Sequence, residues 1–114
     1  DRMRGRSDDM MVLRGVNIFP IQIEKILMQF PELANNYLIT LTTDDDNDNM
    51  TVEVELEELF TDDYQRLQGL QKRIQRALKD EILLTPHVKL VPKGTLPVSE
   101  GKAVRVSDKR KVYQ

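Results

Sequence analysis

Lys102 follows a glycine near the end of a stretch, 92–101, that holds two prolines and two glycines. A lysine on such a loop is a mobile point charge on a long stem, suited to offsetting charge that develops on a carboxylate or a phosphate. The stretch is not a phosphate-binding loop. Its glycines are too far apart for that motif, and Ala103 stands where a hydroxyl would hold magnesium. Asp44, Asp46, Asp48 and Glu55 fall at positions 1, 3, 5 and 12 of a calcium-loop spacing. The sixth position, which needs glycine, is Asn49, and 50–56 alternates as a strand that would turn Glu55 outward. We read the acidic run as a solvated hairpin turn and expect no metal site. His87 is the single histidine, with no partner for nucleophilic or metal chemistry, and is expected at an ordinary strand edge. Arg105, Lys109, Arg110 and Lys111 make the C-terminal end basic, but Tyr113 is the lone aromatic beside them. Nucleic-acid binding would need an interleaved stacking pattern, so the run reads as a solvated tail.

The elements that must position these residues follow from periodicity. Met10 to Leu13, a glycine at 15, then Val16, Ile18 and Phe19 predict a small β-hairpin. Pro20 suits a first helical position. Ile23, Ile26, Leu27 and Phe30 then lie on one helical face that Pro31 ends. Tyr37, Ile39 and Leu41, and again Met50, Val52, Val54 and Leu56, alternate with polar neighbours and predict two strands joined through the acidic turn. With Thr61 as cap and Asp62 and Asp63 in its first turn, a long helix is predicted over 62–84 on the stripe Leu67, Leu70, Ile74, Leu78 and Ile82. Val88, Leu90 and Val91 predict a third strand, and 103–106 a short one. The expected fold class is α+β: a short β-hairpin, then a small antiparallel sheet of about three strands packed by two helices on one face.

The chain has 114 residues, the size of one domain, with 39% hydrophobic and 32% charged residues and a formal net charge of −2. It has no cysteine, which excludes disulfides, thiol nucleophiles and cysteine-held zinc. No apolar run reaches the length of a membrane span. The absence of an initiator methionine, with patterned sequence beginning almost at once, reads as a boundary within a longer protein.

Two segments carry a resemblance. GRSDDMMVLRGVNIFP at 5–20 is similar to the segment that opens the C-terminal domain of adenylate-forming ligases, and RGVNIFP within it resembles the phenylacetate–CoA ligase branch. LPVSEGKAVRV at 96–106 resembles that branch's terminal lysine motif. The resemblance implies residues 1–9 as the hinge or linker from a missing N-terminal domain, and residues 10–114 as the mobile C-terminal domain. It implies an enzyme that joins an aryl acid to ATP, releases pyrophosphate, and passes the acyl group to coenzyme A, with this domain rotating between the steps. By position, Asp8 is the expected hinge and Arg6 lies near the nucleotide phosphates. Gly15 is expected to line the pantetheine tunnel, with Arg14 facing the coenzyme, and Lys102 is the expected adenylation lysine. Val104 departs from the branch, which often has a second lysine there. ATP, coenzyme A and Mg2+ are the implied cofactors, held mainly by the large domain, which is the implied partner. A cytoplasmic location and no nucleic-acid or membrane partner are expected, and exposed apolar surface would favour a homodimer. The alternative is a non-catalytic α+β module for ligand binding or dimerisation; RNA binding through the basic tail ranks last.

Overall fold

The computed structural model describes residues 10–57, 63–96, 98–99, 102–103 and 106–110, with the backbone alone described at 98, 99, 102 and 103. The chain begins with β1 (Met11–Leu13) and β2 (Val16–Ile18), which pair antiparallel with Leu13 opposite Val16. The two-residue turn between them, Arg14 and Gly15, has positive φ at both positions, 53° and 79°. Such a turn matches the right-handed twist of the paired strands.

Pro20 opens α1 (Pro20–Leu27) as expected. The side chain of Gln22 accepts from the Phe19 amide at 2.7 Å, which satisfies one donor at the helix start. The helix stops earlier than the apolar spacing predicts. After Leu27 the amides of Gln29 and Phe30 bond back three residues, to Ile26 and Leu27, so the last turn tightens. Phe30 still packs against the core from this turn.

β3 (Leu33–Asp44) and β4 (Asn47–Leu56) form the central antiparallel hairpin. Its turn is shorter than the acidic composition implies. Only Asp45 and Asp46 lie outside the ladder, with φ of 53° and 67°. Of the calcium-like spacing, Asp44, Asp48 and Glu55 therefore stand in strand and only Asp46 in the turn, which is no coordinating loop. Tyr37, Ile39, Leu41, Met50, Val52 and Val54 are buried, as the alternation predicts.

α2 (Tyr64–Ile82) buries Leu70, Ile74, Leu78 and Ile82, one residue per turn of a single stripe. Its cap is Asp63, whose carboxylate accepts from the Arg66 amide at 3.0 Å. The expected cap, Thr61, lies outside the described residues. Leu83, at φ 67°, ends the helix by turning left-handed. β5 (His87–Val91) follows, and Gln71 and Gln75 of α2 donate to the carbonyls of Val88 and Pro86 at its start.

β6 (Val98–Ser99) and β7 (Lys102–Ala103) form a second small antiparallel pair, and β8 (Val106–Asp108) ends the described chain. The main sheet has the order β5-β4-β3-β8. The α+β class holds, but the expected antiparallel, roughly three-stranded sheet needs correction. It has four strands and is mixed, because β5 runs parallel to β4 and β8 parallel to β3. The physical reason for the first parallel pair is the connection. A strand that returns after a helix crossing one face re-enters the sheet in its original direction. α1 and α2 bury their stripes in one cluster with the inner face of β3, β4 and β5. Tyr37 is sealed into it by donating its hydroxyl to Glu24 of α1 at 2.8 Å.

Candidate functional site

The Arg14–Gly15 turn is not free-standing. Arg14 donates from Nε to the Asp48 carbonyl at 2.9 Å and from its terminal nitrogen to Asn49 Oδ1 at 3.1 Å. These bonds tie the first hairpin to the start of β4 and offset part of the strain of a non-glycine residue at positive φ. An added Cβ on Gly15 would meet nothing within 4 Å in this domain. The glycine therefore answers to its φ and to whatever approaches from outside, not to a neighbour within the fold. Leu13, Arg14, Asp48, Asn49, Thr85 and His87 are among the residues lining a small recess beside this turn. His87 is exposed on the edge strand β5, as expected.

Arg110 completes this corner. Its guanidinium donates to the Val12 carbonyl at 2.6 Å, to Asp48 Oδ2 at 3.0 Å, and in a fork to Asp108 Oδ1 at 3.0 Å and Oδ2 at 2.9 Å. One side chain thus joins the hairpin, the start of β4 and the end of β8. Its hydrogen bonds to Asp108, ahead of the opposing burial, and then those to Asp48 hold the guanidinium still more firmly protonated than usual. In return, Arg110 holds the Asp108 carboxyl below the ordinary carboxylate range. Reading Arg110 as part of a solvated tail was therefore wrong: its side chain is only 20% exposed. Beyond Asp108, two residues back, nothing in the local sequence marks it, because the partners that tie it to the rest of the fold lie 62 and 98 residues away.

A second anchor sits on β4. Glu55 is 3% exposed, although strand alternation turns it away from the main core. The expectation that it would point into solvent is corrected by what covers it, the segment 94–96. Its Oε2 accepts from the Leu96 amide at 2.8 Å and from Asn36 Nδ2 at 3.1 Å. Burial alone would push this carboxyl up. Hydrogen bonds from the Gly94 and Leu96 amides and from Asn36, with Lys93 nearby, outweigh that and hold it below its ordinary value.

Lys102 lies on β7 with its backbone opposite Ser99, while its side chain falls outside the description. Asp8, Arg6 and Val104 also lie outside the described residues. Arg14 and Gly15 stand together on the hairpin turn, as the sequence reading placed them. No group of three or more His, Asp or Glu side chains among the described residues could hold a metal ion. Nor is any described helix long and apolar enough to cross a membrane.

A family model described as the AMP-binding enzyme C-terminal domain matches residues 15–110. The chain is 38% identical over 121 residues to a phenylacetate–coenzyme A ligase of Thermus thermophilus, over 94% of this chain and 27% of that protein. Among solved structures, a domain of phenylacetate–coenzyme A ligase from Bacteroides vulgatus is 66% identical. It superposes with a TM-score of 0.86 over 94% of this chain and 98% of that one. A 2-hydroxyisobutyryl-CoA ligase in complex with 2-HIB-AMP and CoA in the thioesterification state is 26% identical. Its TM-score is 0.80, over 93% of this chain and 22% of that one. The chain spans about a quarter of the length of the curated relatives it matches.

Proposed function

Because the chain belongs to the AMP-binding enzyme C-terminal domain family, we propose that it is the mobile C-terminal domain of an ATP-dependent, AMP-forming phenylacetate–CoA ligase. The observation that carries this reading is the identity of 38% across nearly the whole chain to phenylacetate–CoA ligases, of which it spans about a quarter. The rest of such a ligase supplies the acid pocket and most of the nucleotide site, so this chain alone is expected to fold and to be inactive. The reaction would use ATP and coenzyme A, with Mg2+ accompanying the nucleotide, all held mainly by the large domain, and a cytoplasmic location is part of this reading.

In the first half-reaction a carboxylate oxygen of the acid attacks the α-phosphorus of ATP, and pyrophosphate leaves. Two anions must be brought together, so a cation between them lowers the barrier as negative charge builds on the α-phosphate. We assign Lys102 that role, and Arg6 a position near the phosphates, on the resemblance of the segments that carry them. In the second half-reaction the thiol of coenzyme A attacks the acyl carbon, and AMP leaves. The thiol needs the space that the lysine occupied. A rotation of the domain at Asp8 withdraws Lys102 and brings up the hairpin, where the Gly15 turn offers backbone without a side chain to the pantetheine arm. The grip of Arg14 and Arg110 on that hairpin supports this scheme, since a surface that is swung into a second position must keep its own shape.

The test is made in the full ligase that carries this domain. Lys102→Ala should slow adenylation by 10²–10³, about 3–4 kcal/mol of lost transition-state stabilisation. It should leave thioester formation from supplied acyl-adenylate near normal. Equal loss in both half-reactions would refute the assignment.

A further inference from the structure

Among the described residues, Glu55 is the buried side chain that carries a formal charge, and the scheme above leaves it without a task. Its surroundings are specific. The carboxylate receives the Leu96 amide and the Asn36 side chain, on the outward side of the strand whose Val52 and Val54 face the core. Leu96 is itself buried, and β6 begins two residues later, with Ser99 opposite Lys102. On the far side of the lysine, β8 pairs with β3 from Val106 onward, and the Lys109 amide continues that pairing by donating to the Leu41 carbonyl at 2.7 Å. The lysine-bearing segment is thus pegged at both ends to the central hairpin: by a backbone ladder after it, and by one carboxylate before it.

We propose that Glu55 is a positioning residue for adenylation, clamping 94–96 to β4 so that Lys102 is carried at a fixed place on the rotating domain. This rests on the role given to Lys102 above. A carboxylate suits the task because its two oxygens can accept several donors at once. The Leu96 amide it receives would otherwise be left without an acceptor in a covered position. An apolar residue at 55 would cover the same area and release the segment. A purely structural acid would stabilise the domain for both half-reactions alike. A clamp on the lysine segment matters only while the lysine is in use, since that group leaves the site before the thiol attacks.

The experiment compares Glu55→Ala, Glu55→Gln and Lys102→Ala in the full ligase, each assayed for adenylation and for thioester formation from supplied acyl-adenylate. Glu55→Ala should slow adenylation by about 10–100-fold, the usual loss for a reacting group displaced by about an ångström, with thioester formation retained. Glu55→Gln keeps one acceptor oxygen and should lie between Glu55→Ala and wild type. It also carries the test if the alanine variant does not fold. Amide hydrogen exchange should accelerate over 94–103 and not in α2. The double variant Glu55→Ala/Lys102→Ala should be no slower than Lys102→Ala alone, because the clamp acts through the lysine. Unchanged adenylation in Glu55→Ala, parallel loss in both half-reactions, or further loss in the double variant overturns the proposal while leaving Lys102 in place. Normal adenylation by Lys102→Ala overturns the lysine assignment itself, and the clamp's catalytic meaning with it.

Discussion

Replacing Arg110 with alanine tests whether one cation holds the hairpin corner together. The change removes a charged donor from the Val12 carbonyl at 2.6 Å and from two carboxylates at 2.9–3.0 Å. A hydrogen bond from a charged donor to a partly covered carbonyl contributes about 1.5 kcal/mol. Partly exposed ion pairs contribute roughly 0.2–1 kcal/mol each. The side chains of Asp48 and Asp108 are 30% and 45% exposed, so water recovers part of what the guanidinium supplied. The expected net loss is about 2 kcal/mol. For a domain of this size that corresponds to a fall in Tm of roughly 8 °C. Thermal and urea unfolding of the domain measures it, and a cycle with Asp48→Asn should show a coupling of about 1 kcal/mol. The pH dependence has a defined sign. Arg110 depresses the Asp108 carboxyl in the folded state, so the stabilisation is complete above the unfolded carboxylate range, near about pH 4, and is lost as the pH falls through the lower folded value. Wild type and Arg110→Ala should therefore converge in stability on acidification. A loss under about 0.5 kcal/mol, additive behaviour with Asp48→Asn, or a gap that widens in acid would refute the reasoning.

Gly15→Ala should destabilise the domain by about 1 kcal/mol through its positive φ, and in the full ligase it should slow thioester formation more than adenylation. Equal slowing of the two steps would remove Gly15 from the coenzyme path. Asp8→Pro should arrest the full ligase after adenylation, so that acyl-adenylate accumulates while thioester formation fails. Normal thioester formation in that variant would move the hinge elsewhere.

Local periodicity was enough to read α2 and the central hairpin. The stripe Leu70, Ile74, Leu78 and Ile82 and the alternation from Met50 to Val54 are patterns that a chain must show to bury one face of a helix or a strand. The resemblance at the two ends, resting on 5–20 and 96–106, led to the family that the comparison then established. The parallel edge at β5 was also within reach, since the order strand, helix, strand suggests that β5 returns beside its predecessor in the same direction. The fourth strand was harder. Three residues, Val106 to Asp108, have no periodicity of their own, and their pairing depends on β3 being there to receive them.

Arg110 and Glu55 belong to the tertiary structure alone. By composition one is a cation in a basic tail and the other a glutamate on the polar side of a strand, and both would ordinarily be solvated. What changes them is the arrival of partners remote in the chain: Asp48 and Val12 for the arginine, Leu96 for the glutamate. Periodicity reports which face of an element turns inward. It does not report which distant segment will cover the other face, because that depends on where the folded backbone brings the donors and acceptors that the buried charge must meet.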